Sequence, residues 1–436
     1  MSVREHREAE GKERKIVETF ETRCCVVGAG PAGALLALVL ARNGVRVSLL
    51  EAHEDFDRDF RGDTLHPSAM EIMDELGLAD ALLRLRHTKI RTANLMTGAG
   101  AVAVATFERL KTRFRYITIM PQSHFIEFLV DEAKRYTDFE LRLGARVEEL
   151  IEEGGEVRGV RYRDGGGGWH EIRAALTVGA DGRGSRVRHL SGLEAGALKT
   201  SPPIDVLWFR LPREAGDPEG LIGRFGAGHA VVMLDRLDEW QVGYIIFKGT
   251  YQQVRAAGLD ALKRSFAETA PEFAARTDHL KEWKQVSMLS VESSRLKTWH
   301  RAGLLLVGDA AHVMSPVAGV GINYAIQDAV AAANHLAGPL RGGGVVTDEQ
   351  LRRVQREREL PTRIIQAVQT FVQRRVVAGA LGSRRTVAVP LLVRLLLRTP
   401  FLRDLPPRLI AFGFRPAHLR PELRGREAPA AAPGVT

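Results

Sequence analysis

The chain has 436 residues, 45% hydrophobic and 26% charged, an ordinary globular balance long enough for two or three packed lobes. With only Cys24 and Cys25 it is not a disulfide-stapled scaffold. The formal net charge of +9 arises between Phe371 and Thr436, where 12 Arg stand against 3 acids, while the first 370 residues balance at 50 against 50. The basic segment is poor in the aromatics that stack on bases, which argues against nucleic acid as a partner.

Residues 1–20 carry five acids and five bases with no apolar run, which predicts a flexible charged tail and no secretory signal. A strand is predicted over Thr22–Val27. On it Cys24 and Cys25 point to opposite faces, poorly placed to bond to each other, which fits a reducing cytoplasm. GAGPAG follows from Gly28 to Gly33. A helix over Pro31–Asn43, capped by Gly44, then leads to a strand over Val45–Leu50 with Glu51 at its end. Helices are expected over Pro67–Leu76 and Ser123–Arg135, with extended chain over residues 89–119 between them. Paired strands surround Gly154-Gly155, and a buried strand over Leu176–Ala180 runs into GADGRGSRVR at Asp181. Residues 203–248 read as strands and 250–278 as helical. Leu304–Val307 is a short buried strand that delivers GDAAH at Asp309. PVAGVGIN then opens a helix over Gly321–Leu336, and two further helices follow, broken at Pro361.

Strand, Gly-rich turn, helix and strand-end acid within about 30 residues form a dinucleotide-binding opening. Gly28 makes the tight turn, Gly30 lets backbone approach a pyrophosphate, and Gly33 lets helix and strand pack closely. Free amides at the helix start meet the phosphates. Glu51 is placed to accept hydrogen bonds from an adenosine ribose. This motif alone does not separate NAD from FAD. The Asp309 segment does, because an Asp at that strand end can bind a ribityl hydroxyl, which FAD has and NAD lacks. Gly319-Val320-Gly321 permits close approach to such a ligand, and the helix after it aims its positive end there.

With these motifs on the page, the chain resembles the class A FAD-dependent aromatic monooxygenases of the para-hydroxybenzoate hydroxylase fold. The matching residues are GAGPAG with Glu51, RGDTLHPS from Arg61 to Ser68, Gln122, the Asp181-Gly182 pair, and GDAAH with PVAGVGIN. The resemblance implies an α/β fold: a Rossmann-like FAD lobe of glutathione-reductase type interleaved with a β-sheet substrate lobe, plus C-terminal helices. The expected division is a tail over 1–20, an FAD lobe over 21–88, 121–191 and 299–345, a sheet lobe over 89–120 and 192–298, and a helical segment over 346–436. FAD contacts are expected at Gly28, Gly30, Ala32, Gly33, Glu51, Ala52, Arg61, Gln122, Asp181, Asp309, Pro316, Gly319, Gly321, Ile322 and Asn323. NADPH or NADH is the implied transient reductant, with Arg58 and His53 as candidates for its phosphates. Dioxygen would then yield a flavin 4a-hydroperoxide that passes one oxygen to an electron-rich ring of a small aromatic or lipophilic substrate.

No metal site and no catalytic triad is expected. His66 is the candidate for acid-base help to a phenol, the alternative being a loop histidine bonded to backbone. His312 is expected to brace the flavin loop. Trp208 and Trp240 are candidates to line a pocket for a flat ring, although aromatics on strands are mostly core. Rival readings are an isoprenoid-chain reductase of the same fold and a non-redox carrier of an apolar ligand. The halogenase signature WxWxIP is absent from the sequence. Val387–Phe414 is apolar and punctuated by arginines and prolines, which excludes a membrane span. It reads as short helices packed on the sheet lobe with their Arg heads in water. The alternative is a basic apolar face resting on the inner face of an anionic membrane.

Overall fold

The computed structural model describes residues 16–57, 63–97, 100–381 and 403–424. In chain order the elements used below are β1 (Ile16–Val27), α1 (Pro31–Arg42), β2 (Val47–Leu50), α2 (Pro67–Glu75), β3 (Thr92–Thr97), β4 (Gly100–Thr106), α3 (Gln122–Ala133), β5 (Phe139–Arg142), β6 (Arg146–Glu153), β7 (Glu156–Arg163) and β8 (Trp169–Gly179). There follow β9 (Ile204–Pro212), β10 (Leu221–Phe225), β11 (Ala230–Arg236), β12 (Glu239–Phe247), α4 (Leu259–Thr269), β13 (Ser287–Ser290), β14 (His300–Arg301), β15 (Leu304–Leu306), α5 (Gly321–Arg341), α6 (Asp348–Phe371) and α7 (Leu405–Phe412).

An eight-stranded sheet runs in the order β14-β15-β8-β1-β2-β5, with the β6–β7 hairpin added along the first half of β8. The run β15-β8-β1-β2-β5 is wholly parallel. At its centre, where both faces are covered, Cys24–Val27 of β1, β2, Leu176–Gly179 of β8 and β15 read as near-continuous apolar runs. Cys24 and Val26 join the core made by α1, α3 and α5, whereas Cys25 and Val27 join the core on the opposite face. The two cysteines are therefore free and point apart, and burial pushes both thiols up, Cys25 to about 12. Such thiols are unreactive packing groups.

A second, seven-stranded sheet runs β13-β9-β12-β11-β10-β3-β4. One face packs on α4 and the turns after it, through Phe209, Val231, Met233, Trp240, Val242, Leu262, Phe266 and Phe273. The other face carries Val206, Trp208 and Ile245 at one end and Ala93, Leu221 and Leu234 at the other, the latter against Ile410 and Ala411 of α7.

Three sequence expectations need correction. The tail does not extend to residue 20, because β1 begins at Ile16 and pairs in parallel with β8 from Trp169 onward. Its first residues leave Val17, Glu18 and Thr19 exposed while the backbone is bonded, so composition alone resembles a tail. The chain is not broken at Pro361. α6 runs through it, since bonds from Gln355 and Arg358 before the proline and from Gln366 and Gln369 after it tie both halves of the helix to the chain between Lys297 and Asp328. Trp240 is fully buried on the α4 face, edge-on to Phe273, with its Nε1 donating to Asp217 Oδ2 at 2.9 Å, and so lines no pocket on the other face.

Of the basic C-terminal stretch, 382–402 lies outside the described residues. The part from 403 to 424 packs on the body: Ala417 N donates to Gln327 Oε1, Leu419 N donates to Glu75 Oε2, and Arg408, Arg415 and Arg420 are exposed. Among the described residues no helix is long and apolar enough to cross a membrane, and no cluster of His, Cys, Asp and Glu could hold a metal ion.

Candidate active site

Four neighbouring parallel strands end in register. Val27 of β1 pairs with Leu50 of β2 on one side and with Gly179 of β8 on the other, and Gly179 pairs with Leu306 of β15. The turns after them therefore leave the carboxyl edge of the sheet side by side, with strands about 4.8 Å apart. Glu51, Gly28, Ala180-Asp181 and Gly308-Asp309 occupy adjacent places along that edge, where open α/β sheets bind ligands.

Each turn is built for close approach. Gly28 has φ 100°, and a Cβ there would lie 2.6 Å from Ala180 O. A Cβ on Gly33 would lie 1.9 Å from Gly28 O, so only glycine lets α1 leave the strand at this angle. Around Gly30, by contrast, the nearest atom to such a Cβ is Ala180 O at 3.9 Å, which leaves room over the first turn of α1. Ala32 is buried in that turn. Glu51 ties the Gly-rich turn to the end of β2: Oε2 accepts Ala29 N at 3.0 Å and Oε1 accepts His53 N at 3.2 Å. Ala52 follows it on the surface. His53 Nδ1 lies 2.9 Å from Glu51 Oε1.

The Asp181 side chain is turned into the protein. It accepts the Ser185 hydroxyl and, at 3.0 Å, Val187 N, bracing the short helix over Arg186–Leu190. Burial pushes its carboxyl up against those bonds. Arg188 then spans the gap between two motifs, donating to Arg183 O and to the carbonyls of Asp309 and Ala310. Asp309 sits in a single 3-10 turn over Gly308–Ala310. Gln122 opens α3, its backbone N donating to Asp63 Oδ1 at 3.2 Å. Arg61 and Arg58 lie outside the described residues.

The loop Pro316–Gly321 delivers α5 to the same edge. Asn323 holds it: Nδ2 donates to Thr64 O at 3.0 Å and Gly319 O at 3.2 Å, while Oδ1 accepts His66 N at 2.8 Å. The first bonds of α5 run from Asn323 N and Tyr324 N to Val320 O. The amides of Gly321 and Ile322 therefore stand ahead of the intrahelical ladder, at the positive end of the helix.

A buried charge network lies beneath this edge. Asp328 Oδ2 accepts Gly308 N at 3.0 Å and lies 2.5 Å from His312 Nε2, while Oδ1 accepts Arg358 Nε of α6 at 2.8 Å. All three side chains are buried. Burial alone would raise the Asp328 carboxyl, but His312 and Arg358 outweigh it and hold the carboxyl below the usual range. His312 is thus tied to the Asp309 turn through Asp328. Sequence reading missed Asp328 and Arg358, and their only signal is an acid inside the Ala-rich run of α5.

His66 caps α2 and is buried, its Nδ1 2.7 Å from Ile410 O of α7, so the proton sits on Nδ1. Burial lowers its pKa from 6.5 to about 4, opposed by the bond to Ile410. The unfolded chain therefore takes up a proton between pH 6.5 and 4 that the folded one refuses. Stability is full above that window and falls by about 3 kcal/mol as the pH drops through it. Urea unfolding at pH 7.5 and 4.5 tests this. His66→Asn should remove most of the acid sensitivity, and an unchanged acid slope would show that other groups carry it.

Carboxyl-edge turns, glycine clearances and the first amides of α5, ahead of its hydrogen-bond ladder, define a dinucleotide-binding flavoprotein. Residues 21–367 match the FAD binding domain family, and the chain belongs to it. It is 32% identical over 421 residues to 6-methylpretetramide 4-monooxygenase of Streptomyces rimosus, covering 96% of this chain and 99% of that one. It is 24% identical to para-nitrophenol 4-monooxygenase of a Pseudomonas species, covering 73% of this chain and 78% of that enzyme. Among solved structures, the OxyS anhydrotetracycline hydroxylase of Streptomyces rimosus shares the fold with a TM-score of 0.71 at 24% identity, over 90% of this chain and 76% of that one. PqsL of P. aeruginosa in complex with 2-aminobenzoylacetate also has a TM-score of 0.71, at 20% identity over 84% of this chain and 97% of that one. The protein is a class A FAD-dependent monooxygenase, an oxidoreductase that uses NAD(P)H and dioxygen.

Proposed function

We propose that this monooxygenase hydroxylates a flat, polycyclic aromatic substrate of polyketide type. The observation that carries the reading is the near full-length match to an enzyme named for a pretetramide. The seven-stranded sheet supports it. On the face away from α4, Trp208, Gly243, Val232 and Gly223 stand in one cross-strand row. The Trp208 indole lies over Gly243, 3.0 Å from where a Cβ would be, so the glycine seats a flat aromatic surface on this face.

FAD, when bound and reduced by NAD(P)H, supplies the activated oxygen. The chain's own residues bind, orient and exclude water. In this reading Gly28, Gly30, Ala32 and Gly33 with the start of α1 hold the pyrophosphate, Glu51 and Ala52 the adenosine ribose, and Asp309 the ribityl chain. Pro316, Gly319, Gly321, Ile322 and Asn323 hold the flavin edge, and Arg61, Gln122 and the braced Asp181 turn complete the cleft. His66 is neutral at physiological pH and serves as a positioned ring, not as a proton donor. The interleaved lobes follow the two sheets: strands of the larger come from 16–50, 139–179 and 300–306, those of the smaller from 92–106 and 204–290.

The test has two arms. Asp309→Ala should weaken FAD binding at least tenfold, the loss of a hydrogen bond to a charged group. The FAD-loaded enzyme should consume NAD(P)H with a polycyclic phenol and return a product one oxygen atom heavier. NAD(P)H consumption that yields only peroxide across a panel of such phenols would end the substrate reading. Membrane contact by the basic stretch rests on composition alone, and flotation with anionic vesicles at low salt decides it.

A further inference from the structure

α6 carries a buried polar stripe where an amphipathic helix would carry apolar residues. Gln355, Arg358, Thr362, Gln366, Gln369 and, in the π-helical continuation, Gln373 recur at intervals of three and four, all on one face and all buried. The stripe grips the chain that precedes α5. Gln355 Nε2 donates to Lys297 O, and Gln366 Nε2 to Ser294 O and Val313 O. Gln369 Nε2 donates to Ser315 O and Val317 O, each at 2.9 Å, and Gln373 reaches the Ser315 hydroxyl.

The residue after Val317 is strained. Ala318 has φ 64° and ψ 7°, a left-handed conformation that costs an L-residue about as much as two ordinary hydrogen bonds return. It persists only where its surroundings over-determine it. Here the carbonyls of Ser315 and Val317 are held by Gln369 on one side, and the carbonyl of Gly319 is held by Thr64 and Asn323 on the other. A peptide's C=O and N–H point in opposite directions, so turning Val317 O into α6 turns Ala318 N away from it.

We propose that Gln369 is a positioning residue: by holding both carbonyls it forces Ala318 left-handed and so sets the loop that presents Gly319, Gly321 and Ile322 to the flavin. The inference rests on the reading above that this loop faces FAD.

The experiment compares the holoenzyme with Gln369→Leu, Ala318→Gly and the double variant. It measures FAD affinity by reconstitution of the apoprotein, the visible flavin spectrum, and apoprotein Tm. Gln369→Leu should weaken FAD about tenfold and shift the flavin bands. Ala318→Gly alone should bind FAD normally with an unchanged or raised Tm. The double variant should recover affinity to within about threefold of the parent, because glycine adopts the left-handed turn without Gln369. Wild-type affinity and spectrum in Gln369→Leu, or a double variant as weak as the single one, would overturn the proposal. So would a fall in Tm for Ala318→Gly, which needs no Gln369 variant to fold. Gln369→Met, which keeps length without donors, replaces Gln369→Leu if the latter is insoluble. Failure of the site reading itself looks different, since Asp309→Ala would then also leave FAD binding intact.

Discussion

Replacing Arg358 with methionine is expected to cost about 3–5 kcal/mol of stability, much of the margin of an ordinary domain. The reason is what it leaves behind. Asp328 is fully buried, and its carboxylate is kept ionised by His312 and Arg358 against the cost of burial. With Arg358 gone, one of those two partners is lost and desolvation moves the carboxyl up. A carboxyl raised above its unfolded value destabilises at neutral pH, and that penalty is relieved as the pH falls toward the unfolded value. The deficit of Arg358→Met relative to the parent should therefore shrink between pH 7 and 5, measured by denaturant midpoint at each pH. A deficit that stays constant would mean that lost packing over Tyr324, 5.4 Å from the guanidinium, and not charge, accounts for the effect. Since Asp328 Oδ2 also accepts Gly308 N, the variant should release FAD more readily as well.

The second large effect separates folding from cofactor binding within six residues. Gly33→Ala should destabilise the protein by about 3 kcal/mol and abolish FAD uptake, because its Cβ meets backbone (Gly28 O at 1.9 Å) that cannot swing aside. Gly30→Ala meets no protein atom closer than 3.9 Å and should leave apoprotein stability within about 0.5 kcal/mol of the parent. If the pyrophosphate lies over Gly30, the same methyl blocks it, and FAD affinity falls while the fold is intact. Differential scanning of apoprotein and flavin fluorescence titration read the two effects independently. Normal FAD binding by Gly30→Ala would move the pyrophosphate elsewhere.

Much of the site was legible from local chemistry. GAGPAG, Glu51, GDAAH and PVAGVGIN mark turns whose geometry depends on neighbours in sequence, and the structure puts those turns on one sheet edge. The helix capped at Asn43, with Gly44 at φ 73°, is another such local feature. Pro361 does not end the helix: proline removes one hydrogen bond, whereas the contacts that keep α6 continuous come from residues far away in sequence.

What the amino-acid sequence determined by itself is the βαβ opening, the three cofactor motifs and the class of chemistry, since each is written in residues a few positions apart. The tertiary structure alone decided three things. It decided the faces of Trp208 and Trp240, because they lie on different strands: the β9–β12 register sets Trp240 opposite Leu211, on the face that α4 covers, and leaves Trp208 on the other. It buried the polar stripe of Gln355, Arg358, Gln366 and Gln369 against the chain between Ser294 and Asp328. And it paired Asp328 with Arg358, 30 residues on, because burial, not sequence proximity, makes a charge choose its partner.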